Sequence, residues 1–197
     1  MIAEIVEAAE TRLAIAVSSS QDYRAALAVQ ADLVTHLPCY QDTENDPNSA
    51  YFDINVADDC LLDERDAQAA ARLGLANTLV VSEWTNDRSE KVEAWEKENI
   101  ETLRRADAKL LISVDAYGAT LTDGLIAGVE NDYFSATELL RIATMDTPAF
   151  IFPERSIGCL EIGCEASFIA FGSNPIEDIS ALRSIAYRFK DGHVIPD

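Results

Sequence analysis

At 197 residues, with 48% hydrophobic and 25% charged content, the chain is long enough for one sizeable core and has the make-up of a soluble globular domain. A formal net charge of −20 argues against nucleic acid and anionic membranes as partners, because neutralising phosphates requires clustered Lys and Arg. No apolar run reaches the roughly 18 residues that a membrane span needs.

Residues 1–11 (MIAEIVEAAET) are acidic and lack a basic stretch or cleavage-site pattern. They read as a helix with Ile2, Ile5, Val6 and Ala9 on one face, not as a signal peptide. Leu13–Val17 is a short apolar run suited to a strand buried on both sides. Ser18-Ser-Ser20 breaks it, and one of these serines is expected to cap a helix running to Ala31. Asp32–His36 is the next strand, ended by Pro38. Residues 37–57 form a long polar loop of the kind that is functional or mobile in compact domains. Negative charge peaks between Asp42 and Asp66, which reads most simply as solubility, in keeping with a salty habitat.

Ala67–Leu73 is helical and stops at Gly74, Thr78–Ser82 is a third strand, and Asp87–Ala106 is a long helix. Lys109–Val114 is a fourth strand, followed by helices at 123–131 and 136–145. The second of these opens with a capping box, Ser135-x-x-Glu138. Four strand–helix alternations of this kind imply parallel β/α units with right-handed crossovers. After Pro148 the pattern changes to short strands at 168–171, 185–189 and 194–195, with Asp191-Gly192 as a hairpin turn. Residues 1–150 therefore form one β/α region and 151–197 a separate β segment.

Cysteines lie at 39, 60, 159 and 164, with no C-x-x-C pair. Leu160–Gly163 reads as a strand that would hold Cys159 and Cys164 apart. Four reduced thiols in a cytoplasmic protein are expected. With only two histidines and His193 placed in a turn, a structural zinc site is not expected.

His36 ends the second strand and Asp115 ends the fourth. In a parallel barrel the C-terminal strand ends converge on one face, so these two are the candidate metal ligands, suited to zinc or a similar ion. Each has a plainer reading: a hydrogen-bonded core or loop histidine, and a turn cap beside Gly118. Cys39 stands three residues after His36, a spacing common by chance. Glu83, Trp84 and Tyr117 also follow strands, yet a solvated acid and ordinary packing account for them equally well. Ser18–Ser20 lack a nearby His–Asp relay, and no phosphate-binding glycine loop occurs.

In order, Ala31–Pro38 with His36, Lys109–Asp115, Ala136–Ala149, Gly158–Phe171 and Asn174–Val194 with its Lys190-Asp-Gly192 hairpin resemble the C-terminal half of the amidohydrolase superfamily. The likeness is to its imidazolonepropionase- and prolidase-like branch. It implies the second half of a TIM (β/α)8 barrel, strands five to eight, followed by the C-terminal part of a small β-sandwich. It also implies metal-dependent hydrolysis of carbon–nitrogen, non-peptide, cyclic amide-like bonds in a small-molecule substrate. His36 and Asp115 would bind a divalent metal, zinc in kind, and Asp115 would be the catalytic acid–base group.

The departures are the missing His-x-His strand, the missing strand-four ligand, Ala16-Val-Ser18 where a histidine is usual, and Ala166-Ser167 where Ala-Asp is common. Two ligands imply weak or absent metal binding by this chain alone. The open edges of a half barrel imply pairing with a second copy or with an N-terminal half. The alternatives are a degenerate, non-catalytic half barrel that self-associates or binds a partner, and a small domain of unrelated function.

Overall fold

The computed structural model describes residues 12–39 and 57–196; the expected helix at 2–11 and most of the expected loop at 37–57 lie outside them. The chain divides into two compact units, Met1–Val80 with Asn86–Leu110, and Val81–Thr85 with Leu111–Asp197. It is an α/β protein with one four-stranded sheet, order β1-β2-β3-β4, and a separate three-stranded sheet, β5-β6-β7.

The first unit opens with β1 (Ala14–Ala16), α1 (Ser20–Ala28) and β2 (Leu33–Thr35). β1 and β2 run parallel, Ile15 opposite Val34, but β1, last in the sheet order, is not buried on both sides as expected: Ala14 and Ala16 are exposed and Ile15 is half-buried. Ser19 caps α1: its side chain accepts from the Asp22 amide at 3.1 Å, and the Asp22 carboxylate accepts from the Ser19 amide at 3.0 Å. α1 ends before the expected Ala31 because Gln30 turns to φ 54°, letting the Ala31 amide bond back to the Ala26 carbonyl at 3.0 Å. A short helix, α2 (Ala57–Cys60), precedes α3 (Glu64–Leu73), which starts earlier than expected because Asp63 caps it. Gly74, at φ 71°, stops it where expected.

β3 (Ala76–Val80) is buried at all five positions and pairs in parallel with β2. It begins two residues before the expected Thr78, because Asn77, a poor strand former, is satisfied inside the core. α4 (Glu90–Arg105) follows, capped by Ser89, with Trp95 beneath the Lys91 ammonium at 4.6 Å. It leads to β4 (Lys109–Ser113). Val17, Tyr23, Val34, Leu79 and Leu103 form the fully buried centre of this unit.

The second unit is built on the 3-10 turn Val81–Thr85, against which α5 (Leu121–Glu130) lies. Two glycines permit the approach. A Cβ on Gly124 would fall 2.4 Å from Val81 Cγ2, and one on Gly128 would fall 2.5 Å from the Trp84 ring. Trp84 stacks on Tyr133 with centroids 4.6 Å apart. α6 (Ala136–Arg141) has the expected capping box between Ser135 and Glu138. The helix does not stop before Pro148. A π-type segment, Ile142–Asp146, carries it into α7 (Thr147–Ile151), with Pro148 in the first turn of α7.

β5 (Phe168–Phe171), β6 (Ile185–Lys190) and β7 (His193–Ile195) form the antiparallel sheet, with Phe168 opposite Phe189. The Asp191-Gly192 turn joins β6 to β7 with φ of 51° and 79°, the positive pair that a two-residue hairpin loop demands. His193 is thus the first residue of β7 and not part of the turn.

All four cysteines are paired, Cys39 with Cys60 and Cys159 with Cys164, which corrects the expectation of reduced thiols. Leu160–Gly163 is not a strand. Gly158 at φ 80°, Gly163 at φ 99° and a Cys164 amide to Glu161 carbonyl bond of 3.1 Å fold it into turns, bringing the Cα atoms of Cys159 and Cys164 to 5.9 Å. The cytoplasmic expectation rested on reduced thiols and loses that support. Among the described residues no helix is long and apolar enough to cross a membrane.

Candidate functional site

In the first unit the strand ends carry Ser18–Ser20 and His36. Ser19 is committed to capping α1, and the fully buried Ser20 accepts from Arg24 Nη1 at 3.3 Å. Arg24 itself forks onto Asp66, with Nε to both carboxylate oxygens at 3.1 Å and Nη2 to Oδ2 at 2.8 Å. These serines and this carboxylate therefore build the scaffold beside the strand ends.

His36 follows β2 directly. It is buried and lies in the left-handed region at φ 65°, unusual for a residue with a side chain but several-fold more accessible to His than to most. Leu37 beside it is buried, and Cys39 returns to φ 57°. The Cys39 amide donates to the Ser18 carbonyl at 2.9 Å, tying this turn to the end of β1. Since its sulfur is bonded to Cys60, Cys39 is excluded as a substitute metal ligand.

In the second unit Asp115 stands two residues past β4 and is exposed. Its amide donates to Ser82 Oγ at 3.2 Å, while the Ser82 carbonyl accepts from Thr85 Oγ1 at 2.8 Å. The turn Val81–Thr85 thereby fixes the backbone from which the Asp115 carboxylate projects. Glu83 is half-buried on that turn. Trp84 packs in the core against Tyr133 and Phe134, and Tyr117 is fully exposed.

The second unit also holds a pocket of about 510 Å³, walled by Leu121, Leu140, Phe168 and Phe171. At its edge Arg155 forks onto Glu165, with Nη2 to Oε1 at 2.5 Å and Nε to Oε2 at 3.0 Å. This ion pair, followed by the Ser167 hydroxyl, holds the Glu165 carboxyl down at about 2. The sequence offered no signal for this pocket, because its walls come from segments that periodicity assigns to ordinary packing.

Among the described residues no three His, Cys, Asp or Glu side chains group as a metal site. A catalytic zinc takes three protein ligands, so the described residues by themselves do not fit one.

The model of the amidohydrolase family matches residues 1–195, and the chain belongs to that family. Its fold is similar to that of a prolidase solved with N-methylphosphonate-L-proline, at 17% identity and TM-score 0.72, covering 98% of this chain and 48% of that one. Aspergillus niger ochratoxinase is similar at 20% identity and TM-score 0.71, covering 98% and 44%. A prolidase-like protein from Bifidobacterium longum, described as a putative prolidase, is similar at 16% identity and TM-score 0.70, covering 98% and 49%. The chain thus spans about half the length of these solved relatives. No curated protein matches its sequence.

Proposed function

We propose that this chain supplies the C-terminal strand ends of an amidohydrolase active site, the second half of a (β/α)8 barrel with its small β region. In this reading it works in metal-dependent hydrolysis of carbon–nitrogen bonds, cyclic amide-like rather than peptide, in small-molecule substrates. The observation that carries the reading is the family match over residues 1–195, together with a strand-end His36 and a post-strand Asp115. His36 in the first unit and Asp115 in the second would each serve as a ligand for a divalent metal. Asp115 would also accept the proton of the attacking water, a role suited to an exposed carboxylate on a rigid turn.

The test supplies the chain with an N-terminal family half bearing a His-x-His strand and follows hydrolysis of small cyclic amides. Asp115→Asn should keep the fold and lower the rate by roughly 10²–10⁴-fold, the usual scale for losing a general base. Near-full activity in that variant would remove Asp115 from the mechanism.

A second reading, a non-catalytic half barrel that associates with itself or a partner, is favoured by the apolar exposure of the second unit. Leu160, Ile162, Tyr187 and Val194 all stand in solvent. Light scattering separates the two readings: concentration-dependent self-association without hydrolysis on reconstitution supports the second.

A further inference from the structure

We propose that the pocket of about 510 Å³ in the second unit is a binding site for a neutral, mostly hydrocarbon small molecule. The inference uses neither His36 nor Asp115 and stands independently of the hydrolase reading.

The pocket lies wholly within the second unit. Its volume falls inside the roughly 300–1,000 Å³ of small-molecule sites. Leu121 and Leu125 of α5, Leu140 of α6, Phe168 and Phe171 of β5 and Ile185 of β6 give it apolar walls. One wall includes the π-type segment Ile142–Asp146, which contributes Ala143 and Thr144. Such segments are rare and frequently stand at functional sites. The rim is held by bonds within the unit. Gly158, at φ 80°, lies so close to the helix that a Cβ would run into the Thr144 carbonyl oxygen. Cys159 is bonded to Cys164, and the Glu165 amide donates to the Ser156 carbonyl at 2.7 Å. A cavity between fixed walls does not have to be opened by its ligand, which lowers the cost of binding.

The polar groups of the lining decide the charge of the ligand. Arg155 and Glu165 neutralise each other in their fork, and the guanidinium also lies 5.1 Å from the centre of the Phe152 ring. Ser167 donates to Glu165 Oε1 at 2.8 Å and accepts the Asp191 amide at 3.1 Å. Thr144 donates to the Leu140 carbonyl at 2.8 Å. An ionic ligand would have to break the fork and, if anionic, approach a chain of net charge −20. A neutral ligand leaves every one of these bonds in place. Thr122, half-buried in the first turn of α5, is in none of them and can hold one oxygen of the ligand.

Nile red, neutral and fluorescent in apolar surroundings, is the probe. The full chain should bind it saturably, one molecule per chain at every protein concentration. Anilinonaphthalenesulfonate, which carries a negative charge, should bind more weakly by about ten-fold or more. Ala143→Phe places a ring in the pocket and should weaken Nile red by about ten-fold or more. Tyr187→Ser removes an exposed ring that does not line the pocket and should leave binding as it was. Should Ala143→Phe fail to fold, NMR of the native protein replaces it, and cross-relaxation from Nile red should reach the methyl groups of Leu140 and Ile185. Binding that survives Ala143→Phe, falls with Tyr187→Ser or makes no contact with those methyl groups would overturn the proposal, as would equal or tighter binding of the sulfonate. Displacement of Nile red by an N-terminal family half would make that half the occupant and overturn it too.

Discussion

The Tyr23 hydroxyl donates a 2.5 Å hydrogen bond to Oδ1 of Asn77, joining the fully buried face of α1 to the start of the buried strand β3. The Asn77 amide nitrogen is satisfied in turn by the carbonyls of Leu75 and Lys109, both at 3.1 Å. Tyr23→Phe should leave the Asn77 oxygen without its donor in the core and cost about 1–3 kcal/mol, read by urea unfolding.

The burial of Tyr23 sets an alkaline limit. Burial, with the Asp66 charge behind it, raises the Tyr23 phenol well above its ordinary value near 10. The folded state then holds a proton that the unfolded state releases, so this contribution is intact below pH 10 and is lost as pH rises above it. Stability should fall above pH 10 in the native protein, and Tyr23→Phe should flatten that fall.

Arg88 and Glu96 form a 2.7 Å ion pair with both side chains nearly out of solvent. Removing Glu96 takes a charged partner from a guanidinium nearly out of solvent, so Glu96→Ala should destabilise by about 3–5 kcal/mol. Replacing both with apolar residues should cost less, and a double-mutant cycle in urea would show it.

Gly124→Ala and Gly128→Ala test the seat of α5. Alanine gains up to about 1 kcal/mol of helix propensity, but overpacking costs about 1–3 kcal/mol. At Gly124 the new Cβ also falls 2.8 Å from the Val81 carbonyl oxygen, which is backbone and moves least easily. Both variants should therefore melt earlier, and Gly128→Ala should in addition shift the fluorescence of Trp84.

Glu165 should titrate near 2 by carbon NMR and return toward the ordinary carboxylate range in Arg155→Ala, because the Arg155 fork is the largest cause of its depression. A lowered carboxyl pKa gives stability that is present above the ordinary value near 4.5 and fades as pH falls toward 2. The pair is exposed, so the effect on melting should be small and salt-sensitive.

Much of the β/α alternation was legible because short apolar runs such as Leu13–Val17 and Leu110–Ile112 mark the parallel strands, although burial on both faces holds for β3 and not for β1, whose Ala14 and Ala16 are exposed. The hairpin at Asp191-Gly192 was legible because few residue pairs tolerate two positive φ angles. The start of β3 was hidden by Asn77, whose polar atoms are met in part by groups distant in sequence, the Tyr23 hydroxyl 54 positions away and the Lys109 carbonyl 32 away. The disulfides were hidden for a related reason: pairing depends on which turns bring sulfurs together, and Leu160–Gly163 carries strand-forming residues in a turn imposed by its glycines. His36 and Asp115 were visible as strand-end residues. What escaped sequence was the left-handed backbone at His36 and the Cys39–Cys60 bridge, since neither leaves a periodic trace.

The placement of the two tryptophans gives each unit its own optical reporter. Trp84 is sealed against Tyr133 in the second unit, whereas Trp95 is half-buried under Lys91 in the first. Each indole therefore senses the loss of a different neighbourhood. Trp84→Phe and Trp95→Phe variants would each emit from one unit alone, and comparing their unfolding curves would tell whether the two halves of this chain rise and fall as one cooperative body or as two.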